Sequence, residues 1–208
     1  MERDILYSFR RCPFAMRARW SILVSGLIVT LREVDLSQKP EDLITLSPNA
    51  TVPLLIDFNG RVIDESLEIM FWALSHSDPL NGLMKGIPHA EKEIQKLIEI
   101  NDTEFKFHLD RYKYSSRFPG EEKSFHKNKA RDLLLSLESK LTKSSKDQKY
   151  WLVGGRQSIA DWALWPFVRQ YRLADIFDFD NDHDILKVRS WLETFLLNPL
   201  FKRLMTSS

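Results

Sequence analysis

The chain has 208 residues, 30 Lys+Arg against 29 Asp+Glu for a net charge of +1, 43% hydrophobic and 12% aromatic residues, and one cysteine. That is enough apolar material for one large core or two small ones, and the balanced, evenly spread charge excludes nucleic acid and membrane surfaces as main partners. The start, Met1-Glu2-Arg3-Asp4, is too charged for a signal peptide, and the longest nearly apolar run, Ser21 to Leu31, falls short of the roughly 20 residues that span a bilayer. A cytoplasmic location is expected, a reducing compartment in which an unpaired thiol survives.

In chain order, Ile5-Leu6-Tyr7-Ser8 reads as a short apolar strand running into Arg10-Arg11-Cys12-Pro13-Phe14-Ala15-Met16-Arg17. Pro13 suits the first helical position, where its missing N–H costs nothing, so Cys12 becomes the cap residue facing the free amides of Phe14 and Ala15. There the helix dipole and the guanidinium groups of Arg10, Arg11 and Arg17 favour a thiolate, toward a pKa of roughly 3.5–7.5 instead of about 8.5. Ala15 stands where a Cys-x-x-Cys pair would have its second thiol, so no internal disulfide can form and any disulfide chemistry borrows a thiol from another molecule. The helix ends at Gly26, and a strand over Leu27 to Asp35 completes a right-handed βαβ unit with a parallel pair.

Pro40 to Ser47 reads as a brief helix. Thr51–Asp57 and Arg61–Ile63 flank Asn59-Gly60, a favoured dipeptide for a two-residue hairpin turn. Asp64-Glu65-Ser66 then leads into a helix over Leu67–His76 with Ser66 as its cap. The resulting order, β-α-β-α-β-β-α over residues 1–77, is that of a thioredoxin-like α/β domain.

Residues 78–88, with Pro79, Gly82, Gly86 and Pro88, read as a linker, and residues 89–208 as an all-helical domain. His89–Tyr114 and Glu121–Leu141 carry apolar residues at helical spacing, with a polar loop at Lys143–Lys149. Ser158-Ile159-Ala160-Asp161 opens a further helix as a variant capping box ahead of Trp162, Trp165 and Phe167.

Segment Ile5–Arg17 resembles the start of the glutathione transferase superfamily, and its Cys-Pro-Phe-Ala-x-Arg run looks most like the omega class and, less closely, the dehydroascorbate reductases. The Ser158–Asp161 element is similar to a hallmark of that family's helical domain. The likeness is strong over residues 5–77 and looser over 89–206. It implies a homodimer with glutathione as cosubstrate and Cys12 as the functional cysteine. Glu65 and Ser66 match the glutamyl-binding motif, where free amides at a helix start and the Ser hydroxyl hold a carboxylate while the Glu meets an amine.

Val52-Pro53 matches the family's cis-proline turn, Lys39 matches an omega-class lysine that holds the glycyl carboxylate, and Phe14 joins the glutathione-binding set beside Cys12. A second-substrate pocket is expected between Cys12 and the bundle, lined by His108, Tyr112 and Trp165; His108 and Tyr112 share a helical face with Asn101 and Phe105. Five scattered histidines and one cysteine give no ligand spacing, so no metal is expected, and the dispersed glycines form no phosphate loop. The reading is thiol transfer through Cys12. Its rivals are a conjugating transferase that uses Tyr7 or Ser8, and a non-enzymatic scaffold like the stringent-starvation-type regulators.

Overall fold

Ile5–Ser8 forms strand β1, whose alternating side chains set the two faces of a sheet: Leu6 and Tyr7 are both buried, on opposite sides. The structure is a computed structural model that describes residues 4–47, 49–87 and 89–206; what is expected of Met1–Arg3 and of Pro88 lies outside them. Helix α1 (Pro13–Ser25) ends at Gly26, whose φ of 71° puts it in the left-handed region that glycine tolerates. The Leu27 amide then reaches back to the Ile22 carbonyl at 3.2 Å, as a Schellman end requires. Strand β2 (Thr30–Glu33) is shorter than the expected Leu27–Asp35 and runs parallel to β1, with Ile5 opposite Thr30 and Ser8 opposite Glu33.

After the short helix α2 (Glu41–Leu46), strands β3 (Leu54–Ile56) and β4 (Val62–Ile63) pair antiparallel, and the sheet order is β2-β1-β3-β4. The connection between β3 and β4 is longer than a two-residue turn. Asp57 accepts the Gly60 amide at 2.9 Å on its carbonyl and the Asn59 and Arg61 amides on its carboxylate, and Gly60, at φ 81°, is the residue that takes the left-handed conformation. Asp57 competes for the turn amides and so stretches the loop. Helix α3 (Ser66–His76) lies against α1, and Ala18, Ile22, Ile69 and Ala73 cover Leu6, Leu55 and Ile63. The opposite face buries Tyr7 and Leu54 against Val34, Leu43 and Ala50.

Helix α4 (Ala90–Ile100), a π-helical turn (Asn101–Phe105) and helix α5 (Lys106–Lys113) follow one another without a break. Helix α6 (Lys123–Lys140) leads to a small hairpin, β5 (Thr142–Lys143) with β6 (Tyr150–Trp151), around the expected polar loop. Helices α7 (Ile159–Arg172), α8 (Ile176–Asn181), α9 (Leu186–Leu196) and α10 (Pro199–Met205) complete the described chain.

The capping box of α7 is present, and its carboxylate does more than cap. Fully buried Asp161 accepts the Ser158 amide (2.9 Å) and hydroxyl (2.8 Å), the Leu152 amide (3.0 Å) and the Trp191 indole N–H (2.9 Å). Four donors tie the β6 end, the α7 start and α9 to one residue.

The chain divides into two compact units, Met1–Gly82 with Asn198–Ser208, and Leu83–Leu197. The division lies between Gly82 and Leu83, and α10 belongs to the first unit. It packs on α1, where the buried Arg19 donates from Nη2 to the Thr206 carbonyl at 2.7 Å and Leu204 is fully covered. A guanidinium inside a small α/β unit needs acceptors, and the returning chain supplies one.

Candidate active site

Cys12 occupies the cap position of α1 in an extended conformation, its carbonyl accepting the Met16 amide and its own amide bonded to the Phe9 carbonyl, both at 2.9 Å. Its side chain makes no cap bond. The Sγ instead lies 3.8 Å from the Val52 carbonyl oxygen, and the Val52–Pro53 peptide is cis. Strand β1 delivers the cysteine and the turn before β3 delivers Val52, so residues 40 positions apart meet at one end of the two central strands.

The arginines around Cys12 do not act as three free charges on the thiol. Arg10 meets Glu33 through its amide at 2.9 Å and its Nε at 3.9 Å, and Arg11 stacks over the Phe9 ring at 5.1 Å. Arg17 is buried to 2% exposure and points toward α3, where its Nε donates to Ser66 Oγ at 3.0 Å while the guanidinium sits 5.0 Å from the Phe14 ring centre. Burial explains the diversion, because a desolvated guanidinium must hydrogen-bond whatever its own unit offers.

Ser66 is accordingly the first residue of α3 and not its cap; Glu65 holds the cap position, with its carbonyl accepting the Ile69 amide at 3.0 Å. No side chain caps the helix, so the amides of Ser66, Leu67 and Glu68 point out of an eleven-residue helix end backed by the Arg17 charge. That is an arrangement suited to a carboxylate. Glu65 beside it is exposed, and so is Lys39 in the loop before α2.

Tyr7 and Ser8 are placed elsewhere. The Tyr7 hydroxyl, on a side chain 1% exposed, accepts from Arg32 at 2.8 Å and donates to Asp42 at 3.3 Å. Ser8 is fully buried. In the helical unit, Trp165 and Tyr112 are core side chains and not the pocket lining expected of them. Trp165 stacks on Phe195 with ring centres 5.4 Å apart, and Tyr112 packs against Tyr171 at 5.3 Å, its hydroxyl pushed up to about 12 by burial and by Asp175 and Asp178. Helical spacing put Tyr112 on one face with Asn101 and Phe105, and all three are buried. His108 is half-buried, with its Nδ1 2.8 Å from His126 Nδ1.

Two groupings escaped the sequence reading: the Arg17–Ser66 contact and the His108–His126 pair. The signal for the first was a pair of charges, Arg17 and Arg19, in a run of apolar residues from Phe14 to Trp20. The second leaves no local pattern, since its partners come from separate helices. Among the described residues, no group of three or more His, Cys, Asp or Glu side chains is placed to hold a metal, and no helix is long and apolar enough to cross a membrane.

Residues 6–79 match the family model described as the glutathione S-transferase, N-terminal domain. Glutathione S-transferase omega-1 of Sus scrofa is 26% identical over 194 residues, 93% of this chain and 77% of that protein. A probable glutathione transferase of Aplysia californica is 33% identical over 70 residues, 34% of this chain and 76% of that protein. The crystal structure of glutathione transferase Omega 3C from Trametes versicolor superposes with a TM-score of 0.78 at 18% identity, over 100% of this chain and 86% of that one. With its thioredoxin-like unit and its helical unit, this chain belongs to the glutathione transferase superfamily and is similar to its omega-class members.

Proposed function

We propose that the protein is a glutathione-dependent thioltransferase in which Cys12 forms a mixed disulfide with glutathione. The observation that carries this reading is the position of Cys12 Sγ at a helix start, 3.8 Å from the carbonyl beside the cis proline. In the first step the Cys12 thiolate attacks the glutathione sulfur of a glutathionylated substrate, forming the Cys12–glutathione disulfide and expelling the substrate thiolate. In the second step a glutathione thiolate attacks the glutathione sulfur of that disulfide, releasing oxidised glutathione and restoring the Cys12 thiolate. Electrons balance, since two glutathione sulfurs end as one disulfide and the substrate ends as a thiol.

The uncapped amides of α3 with Ser66 and Glu65 hold the γ-glutamyl end, Val52 offers its backbone to the cysteinyl portion, Phe14 lies beside it, and Lys39 reaches the glycyl carboxylate. Deglutathionylation and dehydroascorbate reduction both fit this chemistry. Burial of Tyr7 and Ser8 argues against a hydroxyl-based conjugating mechanism. We infer further that the protein is a cytoplasmic homodimer, which sedimentation of the purified chain tests.

Mass spectrometry after incubation with oxidised glutathione tests the mechanism. One reducible glutathione adduct is expected on Cys12, with transfer abolished in Cys12→Ser. An unmodified wild type, together with full activity of Cys12→Ser on a glutathionylated peptide, overturns it.

A further inference from the structure

Two Asn-Gly dipeptides occur in the chain, Asn59-Gly60 and Asn81-Gly82, and both lie in the α/β unit. Each is open to the same chemistry, because a glycine has no side chain to hinder attack by its nitrogen on Cγ of the asparagine before it. The structure treats them differently. Asn59 and Gly60 are both exposed in the β3–β4 connection, and a Cβ at Gly60 would meet no atom within 4 Å. The Gly60 amide donates to a neutral acceptor, the Asp57 carbonyl, at 2.9 Å. Gly82 is buried, and its amide donates to the Asp78 carboxylate at 2.6 Å, while the Asn81 amide takes the Asp78 carbonyl at 3.0 Å.

Among the described residues neither asparagine side chain makes a hydrogen bond, so the difference lies at the attacking nitrogen. Attack requires that nitrogen to shed its proton and turn toward Cγ. The Asp78 carboxylate opposes both at Gly82: its charge-assisted bond is roughly twice as strong as one to a carbonyl, and its charge repels an amide anion. Reaction in a buried segment also waits on local opening, whereas the exposed connection at Gly60 already meets water.

We propose that Asn59 is a deamidation site of the folded protein and that the fold protects Asn81. The Gly60 nitrogen gives its proton to water or hydroxide and bonds to Asn59 Cγ; the Cγ–Nδ2 bond breaks, and the leaving nitrogen takes up a proton and departs as ammonia. Water then opens the five-membered imide. Cleavage of the new bond leaves an aspartyl residue at position 59, and cleavage of the original peptide bond leaves an isoaspartyl residue with one more methylene in the backbone. Nothing is oxidised or reduced. Either product adds a carboxylate close to Asp57, and the formal net charge falls from +1 to zero. The isoaspartyl form also lengthens the backbone between the Asn59 and Arg61 amides, both held on the Asp57 carboxylate, and so loosens the entry to β4. The connection lies at the end of the sheet where Ile5 pairs with Ile56, opposite the end that carries Cys12, so the thiol chemistry is spared.

Peptide mapping by mass spectrometry after storage in mildly alkaline buffer tests this, because trypsin cuts at Arg61 and separates the two sites. In the folded wild type Asn59 should convert at least about tenfold faster than Asn81, the factor between an ordinary and a charge-assisted hydrogen bond. In urea, where neither burial nor Asp78 intervenes, the two rates should agree within a few-fold. Gly60→Ala should slow conversion at position 59 severalfold, since its methyl group crowds the attacking nitrogen, and leave the rate at Asn81 unchanged. Asn81 converting as fast as Asn59 in the folded protein, Asn59 surviving there while the urea-unfolded chain reacts, a gap in urea as wide as in the folded protein, or an unchanged rate in Gly60→Ala each overturns the proposal. The result stands apart from whether Cys12 forms its adduct.

Discussion

Replacing Asp161 by Ala removes one acceptor and leaves the Leu152 amide, the Ser158 amide and the Trp191 indole N–H without a partner inside the protein. The Ser158 hydroxyl can turn elsewhere, but the three N–H groups are fixed, and each stranded buried donor costs about 1–3 kcal/mol. Against that stands the burial of the carboxylate itself, which pushes its pKa from 3.8 up to about 6 even though the Leu152, Ser158 and Trp191 donors pull it down. That rise corresponds to about 3 kcal/mol against the ionised form. A loss of about 6 kcal/mol where Asp161 is protonated thus becomes about 3 kcal/mol at pH 7.

The direction with pH follows from the raised value. The folded state holds its proton to a higher pH than the unfolded one, so the proton-linked part of Asp161's contribution, about 3 kcal/mol, is full below pH 3.8 and is lost as the pH rises through about 6. Urea unfolding of wild type and Asp161→Ala across pH 4 to 7, with amide exchange at Leu152 and Ser158, reads both quantities. A variant within about 1 kcal/mol of wild type, or a difference that grows with pH, refutes the reasoning.

Glu65→Ala and Ser66→Ala should each weaken glutathione binding by about 1.5–3 kcal/mol in calorimetric titration while leaving the alkylation rate of Cys12 nearly intact. Ser66→Ala should also lower the melting temperature, because Arg17 Nε loses its partner, which Glu65→Ala does not disturb. Arg17→Met should lower glutathione affinity several-fold with Cys12 untouched, and Arg17→Lys should not restore it, since a lysine has no Nε–H at that point. Gly60→Ala meets no atom within 4 Å, so its effect is the strain of φ 81° alone, about 1–2 kcal/mol in thermal unfolding monitored by circular dichroism.

Much of the α/β unit was legible because its signals are local. Pro13 and Gly26 bracket α1 by what their backbones allow, and Ser158 and Asp161 mark a helix start by reciprocal hydrogen bonding at fixed spacing. The same spacing said nothing of Leu152 and Trp191, which reach Asp161 from other elements. Tyr112 and Trp165 were hard to place because an aromatic residue at helical spacing has one appearance whether it faces a ligand or a core, and only the packing of α5 and α9 on α7 decides. Arg17 was visible as a charge but not as a strut, because its target lies 49 residues away on α3. The Asn59-Gly60 turn was one residue class right and one loop length wrong, since Asp57 takes the amides that a two-residue turn leaves paired across the strands.

Because α10 packs on α1, the first unit is discontinuous in the chain, and its Arg19–Thr206 contact joins residues 187 positions apart. On a ribosome, residues 4–82 emerge and form their sheet well before the segment that completes them. Through that interval the α1 surface under Leu204 is open to solvent and Arg19 lacks one of its acceptors. Closing so long a loop adds only about 0.6 kcal/mol per doubling of length, so the delay is one of synthesis and search more than of equilibrium. Truncating the chain after Leu197 therefore strikes the unit that carries Cys12, from the opposite end of the sequence.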